Sequence, residues 1–485
     1  MSRKTKIIAT LGPAVASLDA VIELIEAGMN VARLNFSHGS HDDHRQFHEW
    51  TRRASDQLDI PVAILQDIQG PRIRVGSFPG GSIVLEDGAE VVLTPGHGEG
   101  NNREIQVENL EAAALSEGST VLMSDGMIAL EALAVDETLV KCRVTEGGTL
   151  RDHKGVAFPG IHIDVPVVTE KDKADLELGR ELGVDYVAAS FVNSAASVRQ
   201  VKRLVDGVPV IAKIESIVGY DNLAEIVEES AGVMAARGDL GVELSFESVP
   251  RAQKQIISHA NSKGKLSITA TEMLESMTSS PRPTRAEVTD VSSAVLDGTD
   301  AVMLSAETAV GKYPARTVSA MSRICVEAEA GPRYIRGEEI HFLESAARFA
   351  SATAQACVDA ADNLDLSAIV AFTESGSTAR LISKYRPHTD IYAYTPLEET
   401  YRRMALYSGV TPLRFARVQS TDEMINYAEH NLLDLGIVKP GDSVVMAAGI
   451  PPNRAAATNL MKLHLVGSVI SGDSSHPEGT SGDGV

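Results

Sequence analysis

Eight short apolar runs, each followed by a longer segment with helical periodicity, limit the folds open to this chain. The runs are KIIATL, VARLN, VAILQ, DYVAAS, VIAKI, GVMAA, SITA and AVMLS, and they lie between residues 6 and 305. Intervening segments such as SLDAVIELIEAG and DKADLELGRELG end in glycine, as helix C-termini prefer. Buried strands alternating with helices predict an α/β fold with a parallel sheet, and the count of eight predicts a (β/α)8 TIM barrel.

The alternation of strands and helices breaks between about residues 72 and 166. This stretch is rich in glycine and contains alternating segments such as SIVLEDGAEVVLT and LVKCRVTEGG. It predicts a small all-β domain of β-barrel type, inserted after the third barrel strand. Insertions after barrel strands emerge at the C-terminal face, where such enzymes keep their active sites, so this domain is placed to act as a lid.

A second βα pattern begins near residue 345, with a helical segment followed by the strands SAIVAF, DIYAY and DSVVMA. It predicts a C-terminal doubly wound α/β domain over residues 345–470. The barrel is then expected to comprise residues 1–71 and 167–335. The polar, Gly- and Ser-rich segment 471–485 is predicted to be disordered.

The formal net charge of −22 limits the classes of molecule that the protein can bind. A surface of that charge repels nucleic acid and anionic membranes, so local cations must hold any anionic substrate. The chain has no apolar stretch of about 18 residues and no apolar run at its N-terminus. Its three cysteines, Cys142, Cys325 and Cys357, are far apart. These features predict a cytoplasmic protein with reduced thiols and no membrane or nucleic-acid partner.

The segments VIAKIES and ARGDLG place Lys213, Glu215 and Asp239 at the ends of the fifth and sixth barrel strands. Side chains two residues apart on a strand share a face, so Lys213 and Glu215 are expected at one barrel mouth. Two carboxylates from adjacent strands suit Mg²⁺ (or Mn²⁺) and leave coordination positions for water and phosphate. The alternative is a Lys–Glu ion pair beside an Asp that caps a helix.

Polar side chains also end the second, third and seventh strands. Arg33 can grip a phosphate with its guanidinium, and Asn35, Ser37 and Asp67 offer oxygens to a cation. Thr271 has a hydroxyl able to position or pass a proton. Any one of them can be an ordinary cap or surface group, but together they add positive charge and oxygen ligands to one mouth.

The chain resembles the pyruvate kinase family in nine ordered segments. They are TKIIATLGP, MNVARLNFSHG, GPRIR, VIAKIES, ARGDLGVE, TATEMLESM, SPRPTRAEVTDV, AVLDGTDAVMLSAETAVGKYP and SGSTARLISKYRP. The resemblance implies transfer of the phosphoryl group of phosphoenolpyruvate to ADP, which gives pyruvate and ATP. It also implies a homotetramer.

The resemblance implies roles for individual residues. Glu215 and Asp239 correspond to the Mg²⁺ ligands, and Lys213 to the group that stabilises the phosphoryl group in flight. The residues that correspond to the substrate site are Arg33, Gly238, Asp239 and Thr271, with Thr271 near the route of the proton to the enolate. The residues that correspond to the nucleotide site are Arg74, Lys154 and, more weakly, His38.

Many family members need K⁺, and the positions that match their K⁺ site are Asn35, Ser37, Asp67 and the carbonyl of Ile68. Where the K⁺-dependent type commonly has Glu, this chain has Arg72, whose charge could replace the cation. We therefore predict K⁺-independent or weakly K⁺-dependent activity; the alternative is that Arg72 is a solvated hinge residue. Glu272 stands where Gln is usual, and its acid could shift the pH optimum.

The C-terminal domain offers a candidate effector site. Its TESGST loop, between a strand and a helix, suits a phosphate group through Thr373, Ser375, Gly376, Ser377 and Thr378. A solvated turn is the alternative. A second loop, Gly-rich in members that bind fructose 1,6-bisphosphate, reads GIPPNRAAATN here. Activation by that sugar bisphosphate is therefore not expected, and a smaller sugar phosphate or a nucleotide monophosphate remains open.

Two other functions compete with the kinase. (β/α)8 lyases that bind pyruvate or its enolate with Mg²⁺ also use paired carboxylates, but they need no inserted lid that supplies a lysine to a nucleotide. A non-catalytic metabolite sensor would be expected to have lost one of the four central residues, Lys213, Glu215, Asp239 or Thr271. All four are present.

Overall fold

The structure, a computed structural model, describes residues 3–136, 139–161, 163, 165–331, 345–450 and 457–468. In chain order the strands are β1 (Lys6–Thr10), β2 (Val31–Asn35), β3 (Ala63–Asp67), β4 (Ser82–Leu85), β5 (Glu90–Pro95), β6 (Glu104–Val107), β7 (Thr120–Met123), β8 (Ile128–Asp136), β9 (Leu139–Glu146), β10 (Gly148–Arg151), β11 (Val156–Ala157), β12 (Tyr186–Ala189), β13 (Val210–Ile214), β14 (Gly232–Ala236), β15 (Leu266–Ala270), β16 (Ala301–Leu304), β17 (Ala368–Phe372), β18 (Ile391–Thr395), β19 (Val410–Arg414), β20 (Ser443–Ala448) and β21 (Leu460–Leu465).

The helices belong to the barrel and to the C-terminal domain. They are α1 (Leu18–Ala27), α2 (His41–Leu58), α3 (Glu170–Leu182), α4 (Ala195–Leu204), α5 (Ile217–Asp221), α6 (Leu223–Glu229), α7 (Arg237–Glu243), α8 (Val249–Ser262), α9 (Arg285–Leu296), α10 (Ala306–Ala309), α11 (Pro314–Ala330), α12 (Ser345–Asn363), α13 (Ser377–Lys384), α14 (Glu398–Arg403) and α15 (Thr421–Asp434). None of those in the described part of the chain is long and apolar enough to cross a membrane.

Eight parallel strands close into a barrel in the order β1, β2, β3, β12, β13, β14, β15, β16. Alternate residues point inwards, such as Ile8 and Met303, or outwards against the helices, such as Ile7 and Val302. Because both faces of each strand are buried, the strands are almost continuously apolar, as their sequences indicated. The predicted TIM barrel is confirmed.

Local signals explain where the barrel helices begin and end. Ser17 caps α1 by accepting a hydrogen bond from Ala20 N, and Thr169 forms a capping box with Asp172 at α3. The two helices end at Gly28 and Gly183, which have φ of 120° and 67°. Glycine adopts such angles without strain, so these residues stop the helices where the sequence predicts.

Between β3 and α3, the described residues form only β-structure apart from short 3₁₀ turns. Six strands of this segment form a sheet in the order β11, β7, β8, β9, β5, β6, and β10 pairs with β4. Its apolar side chains, including Val91, Leu93 and Leu130, form a core separate from that of the barrel. The predicted all-β insertion is confirmed.

The C-terminal sheet has the order β19, β18, β17, β20, β21. Alternate residues of β17 face two different cores, one built with α12 and α13 and the other with α15, so helices cover both faces as predicted. Two edge strands were not predicted: β19 contains Pro412, and β21, which runs antiparallel, mixes apolar residues with Lys462 and His464. Edge strands carry such residues because one of their sides meets solvent. Segment 471–485 and most of the predicted second effector loop lie outside the described residues.

The barrel and the C-terminal domain share one apolar core. The inward-facing residues at the barrel floor, including Tyr186 and Met234, belong to the same cluster as Met404 and Leu406 of the C-terminal domain. Tyr186 Oη donates a hydrogen bond to Arg403 O at 2.8 Å. The C-terminal domain therefore closes the barrel at the end opposite its mouth.

Candidate active site

A buried ammonium group lies at the centre of the residues that the sequence placed at the barrel mouth. Lys213 Nζ donates a hydrogen bond to Ser190 Oγ at 2.8 Å and lies 2.9 Å from Glu215 Oε1 and 3.3 Å from Asp67 Oδ1. Its side chain is 10% exposed. Burial alone would lower the pKa of Lys213, but Asp67 and Glu215 raise it above its ordinary value. The lysine is therefore a fixed positive charge.

Asp67 connects this lysine to a second cation. Arg33 Nε donates to Asp67 Oδ2 at 2.7 Å, and Arg33 Nη1 donates to Thr10 Oγ1 at 2.9 Å. Burial would raise the pKa of Asp67, yet Lys213 and Arg33 hold it below its ordinary value. The carboxylate thus stays charged and keeps both cations at the mouth.

Glu215 and Asp239 face one space from adjacent strand ends. Glu215 Oε2 accepts a hydrogen bond from Phe191 N at 2.6 Å, whereas Oε1 accepts none of good alignment within the described part of the chain. Burial raises the pKa of Glu215, Lys213 lowers it, and the charge of Asp239 raises it again. A divalent cation would remove this repulsion, so the pair fits Mg²⁺.

The pair supplies only part of a coordination sphere. Throughout the described residues, no three or more His, Cys, Asp or Glu side chains lie close enough together to hold a metal ion. Mg²⁺ usually takes one or two carboxylates and completes its shell with water and substrate phosphate oxygens. Two carboxylates at an open barrel mouth are typical of such a partly hydrated Mg²⁺ site. A structural metal site would instead be closed and fully coordinated by the protein.

Thr271 lies beside the start of the short helix α7. Gly238 N donates to Thr271 Oγ1 at 2.8 Å, and Oγ1 donates to Ala270 O at 2.6 Å. Thr271 and the following Glu272 have φ of 68° and 54°. The structure therefore brings Gly238, Asp239 and Thr271 together, and a left-handed backbone turns the threonine towards the neighbouring strand.

The residues that match a K⁺ site end the neighbouring strands β2 and β3, where Asn35 and Asp67 are register partners. Asn35 Oδ1 accepts from Ser37 N at 3.2 Å, and Ile68 O accepts from Ser190 Oγ at 2.7 Å. Asn35 Oδ1, Ile68 O and Asp67 Oδ2 thus each accept a hydrogen bond from the protein.

Arg72 lies beside the carboxylate of Asp239 rather than beside the residues that match a K⁺ site. Its Nη2 is 3.5 Å from both carboxylate oxygens of Asp239, and its guanidinium lies 5.9 Å from the Phe191 ring centroid. The arginine that the sequence suggested as a K⁺ substitute therefore pairs with a candidate Mg²⁺ ligand.

The candidate nucleotide residues lie where the insert faces the mouth. Arg74 Nη1 donates to His153 O at 2.8 Å, and Lys154 Nζ lies 3.6 Å from Asp125 Oδ2. Burial and the charges of three arginines, Arg72, Arg33 and Arg74, lower the pKa of His38. A cavity of about 130 Å³ separates the insert from the barrel, and Glu215 and Asp239 line it.

The structure adds three residues that the sequence reading did not single out. Ser190 joins Lys213 to Ile68 O, Arg237 contacts the backbone at Thr271, and Glu243 Oε2 lies 3.4 Å from both Gly160 N and Ile217 N. Ser190 ends the fourth barrel strand, so the strand-end argument could have found it. Arg237 and Glu243 are visible only once the side chains are placed.

The candidate effector loop joins β17 to α13. Gly376, with φ of 82°, precedes the helix, and Ser375 Oγ donates to Ser377 Oγ at 3.1 Å. Thr373 and Thr378 are buried, and Thr378 Oγ1 lies 2.8 Å from Thr458 Oγ1. Ser375 and Ser377 are therefore the loop hydroxyls open to a ligand, while the two threonines support the loop.

Comparisons with known proteins find one family. Family models described as "Pyruvate kinase, barrel domain" and "Pyruvate kinase, alpha/beta domain" match residues 2–318 and 351–464. A pyruvate kinase of Staphylococcus aureus strain USA300 is 45% identical over 478 residues, which are 96% of this chain and 81% of the relative; that of the bovine strain RF122 / ET3-1 matches equally. A crystal structure of a pyruvate kinase from Cryptosporidium parvum is 34% identical, with a TM-score of 0.88 over 96% of each chain.

Proposed function

Since the chain belongs to the pyruvate kinase family, whose reaction transfers the phosphoryl group of phosphoenolpyruvate to ADP, we propose that this transfer takes place around Lys213 at the barrel mouth. The enzyme is a phosphotransferase of glycolysis, and its products are pyruvate and ATP. One observation carries the location of the site: the buried ammonium of Lys213 meets the carboxylates of Asp67 and Glu215 where the strands end. The lyase and sensor alternatives lose their support.

Glu215 and Asp239 would hold Mg²⁺ (or Mn²⁺), and Lys213 would stabilise the phosphoryl group as it moves. The metal, when bound, neutralises charge on the phosphoryl oxygens. Phosphoryl transfer needs positioning and electrostatic stabilisation more than covalent chemistry. Lys213 supplies a fixed positive charge in a water-poor site, where such a charge acts most strongly.

Other residues would hold the two substrates. The proposed phosphoenolpyruvate site comprises Arg33, Gly238, Asp239 and Thr271. The proposed ADP site comprises Arg74, Lys154 and His38. Arg33 is held by Asp67 and Thr10, so its remaining guanidinium nitrogen can meet phosphate without reorganisation. Lys154 and Arg74 belong to the insert, so closing the insert over the mouth would bring them to the nucleotide.

Replacing Glu215 by Gln tests the metal assignment without relying on turnover. The affinity for Mn²⁺, measured by electron paramagnetic resonance on the substrate-free protein, is expected to fall by about tenfold or more, because even outer-shell partners of metals are worth about 10–100-fold. Glu272→Gln is the matched control, since that acid lies next to Thr271 and outside the pair. Unchanged Mn²⁺ affinity in Glu215→Gln would remove Glu215 from the metal site.

We also propose that K⁺ is dispensable because Arg72 brings a positive charge to the mouth. In buffer free of Na⁺, K⁺ and NH₄⁺, the rate of ADP-dependent pyruvate formation is expected to stay within about twofold of the rate with K⁺, since a permanent guanidinium charge needs no added cation. The coupled assay is repeated with Arg72→Glu, which should create a K⁺ requirement. A near-zero rate that K⁺ restores in the unaltered enzyme would count against the proposal.

The regulatory and assembly properties are further proposals. The loop with Ser375 and Ser377, at the start of α13, would hold the phosphate of a sugar phosphate or nucleotide monophosphate; titration calorimetry with each compound tests this. The family implies a cytoplasmic homotetramer, which light scattering would show as four times the mass of the chain. The domain boundaries proposed are 1–71 with 167–335, 72–166 and 345–470.

A further inference from the structure

The backbone at Thr271 and Glu272 is held in an unusual conformation. Both residues have positive φ, and for a β-branched threonine this region is a true outlier. Residues held in sparsely populated regions cost on the order of 1–3 kcal/mol each and persist only when neighbouring structure fixes them. The contacts that fix this turn therefore matter to the position of the Thr271 hydroxyl.

Arg237 makes those contacts. Its Nη2 donates to Thr271 O at 2.7 Å, and its Nε donates to Ala270 O at 3.3 Å. The guanidinium is itself anchored, because Nη1 donates to Asp290 Oδ1 at 2.6 Å and to Gln253 Oε1 at 3.3 Å. The side chain is 10% exposed. One rigid guanidinium thus joins two consecutive carbonyls at the start of the turn to acceptors on α8 and α9.

The same strand end contacts the threonine a second time. Gly238, the residue after Arg237, donates its N–H to Thr271 Oγ1. The side chain of Arg237 fixes the carbonyl of Thr271, and the backbone that follows fixes its hydroxyl. These two contacts place the hydroxyl next to the helix start that carries Asp239.

From this arrangement we propose that Arg237 is a positioning residue, which holds Thr271 where its hydroxyl lies on the path of the proton that reaches the enolate carbon. The inference rests on the role proposed above for Thr271. In that step the enolate carbon gains a proton and the enolate becomes pyruvate, while the hydroxyl that passes the proton regains one from water. In this proposal Arg237 acts only through Thr271 and takes no part in the chemistry.

Arg237→Lys is the main test, because lysine keeps the charge but cannot donate to two carbonyls and two anchors at once. The rate at which the methyl hydrogens of pyruvate exchange with D₂O, with Mg²⁺ and ATP present, is measured by proton nuclear magnetic resonance. The rate is expected to fall by about a hundredfold, the usual effect of a misplacement of about 1 Å. The solvent isotope effect on kcat should rise, and KM for ADP should stay within about twofold.

Two further variants serve to interpret the result. Arg52→Lys is the matched control, since Arg52 also bridges two carbonyls, of Val62 and Gly183, but lies away from the mouth. Asp290→Asn weakens only the anchor and should give a smaller loss of exchange if Arg237→Lys fails to fold. Equal losses in Arg52→Lys and Arg237→Lys, or normal exchange in both Arg237→Lys and Asp290→Asn, overturn the inference.

Thr271→Val separates this inference from the proposal on which it rests. If Thr271→Val exchanges protons normally, the role of Thr271 is wrong, and that of Arg237 falls with it. If Thr271→Val slows exchange but Arg237→Lys does not, only the inference about Arg237 fails. Slow exchange in both, with a normal melting temperature, supports it.

Discussion

Replacing Lys213 by Met is expected to lower kcat by about a hundredfold or more, the usual loss when a preorganised charge-stabilising group is removed. The ammonium is buried between Asp67 and Glu215 and moves little to meet charge that develops on the phosphoryl group. Steady-state kinetics with a coupled assay measure the loss, and binding of Mg²⁺ and phosphoenolpyruvate should remain measurable.

A nearby lysine provides the control for this experiment. Lys171 Nζ donates to Phe36 O at 2.7 Å and pairs with Asp175, but it has no contact with the Asp67–Glu215 network. Lys171→Met is expected to change kcat by less than about twofold, because the lysine is half-exposed and the buried Asp175 keeps His41 Nε2 as a partner at 2.7 Å. A kcat in Lys213→Met close to that of the unaltered enzyme would exclude Lys213 from the mechanism.

Replacing Asp300 by Asn is expected to destabilise the fold by about 3–5 kcal/mol, the usual cost of removing one partner of a buried ion pair. Asp300 is fully buried and pairs with Lys384, and its Oδ1 lies 2.9 Å from Arg386 Nη1. Burial would raise the pKa of Asp300, but the two cations hold it below its ordinary value. Burial and the nearby arginines lower the pKa of Lys384 to about 7, while the charge of Asp300 acts to raise it, so losing Asp300 removes the group that favours the charged lysine.

Chemical denaturation measures this loss in the free energy of unfolding, and two further variants serve to interpret it. Glu228→Gln breaks an exposed pair with Lys263 and is expected to cost less than about 1 kcal/mol. Adding Lys384→Met to Asp300→Asn should recover part of the loss, because the buried charge left alone is then removed. A loss in Asp300→Asn no larger than that in Glu228→Gln would contradict the argument.

The sequence predicted those parts of the fold and site that follow from periodicity. Parallel strands bring their C-terminal ends to one mouth, so Lys213, Glu215 and Asp239 could be placed together before any side chain was seen. Barrel strands were recognisable because both of their faces are apolar. The edge strands β19 and β21 were not, since Pro412 interrupts the first and Lys462 and His464 interrupt the apolar pattern of the second.

The contacts that could not be predicted from the sequence are those made by long side chains. Arg72 pairs with Asp239, and Arg237 spans from one strand end to the next. An arginine side chain has several rotatable bonds, so its partner is decided by tertiary packing rather than by its position along a strand. The positive φ of Thr271 is equally hidden, because threonine gives no local signal for that conformation.

The shared core at the barrel floor has a thermodynamic consequence. Separate cores let domains melt one after another, and the insert, with a core of its own, can open without disturbing the rest. The barrel floor and the C-terminal sheet have no such freedom, because Tyr186 and Met234 are packed with Met404 and Leu406. These two parts form one cooperative unit. A ligand that tightens the C-terminal domain therefore raises the free energy needed to open the barrel itself.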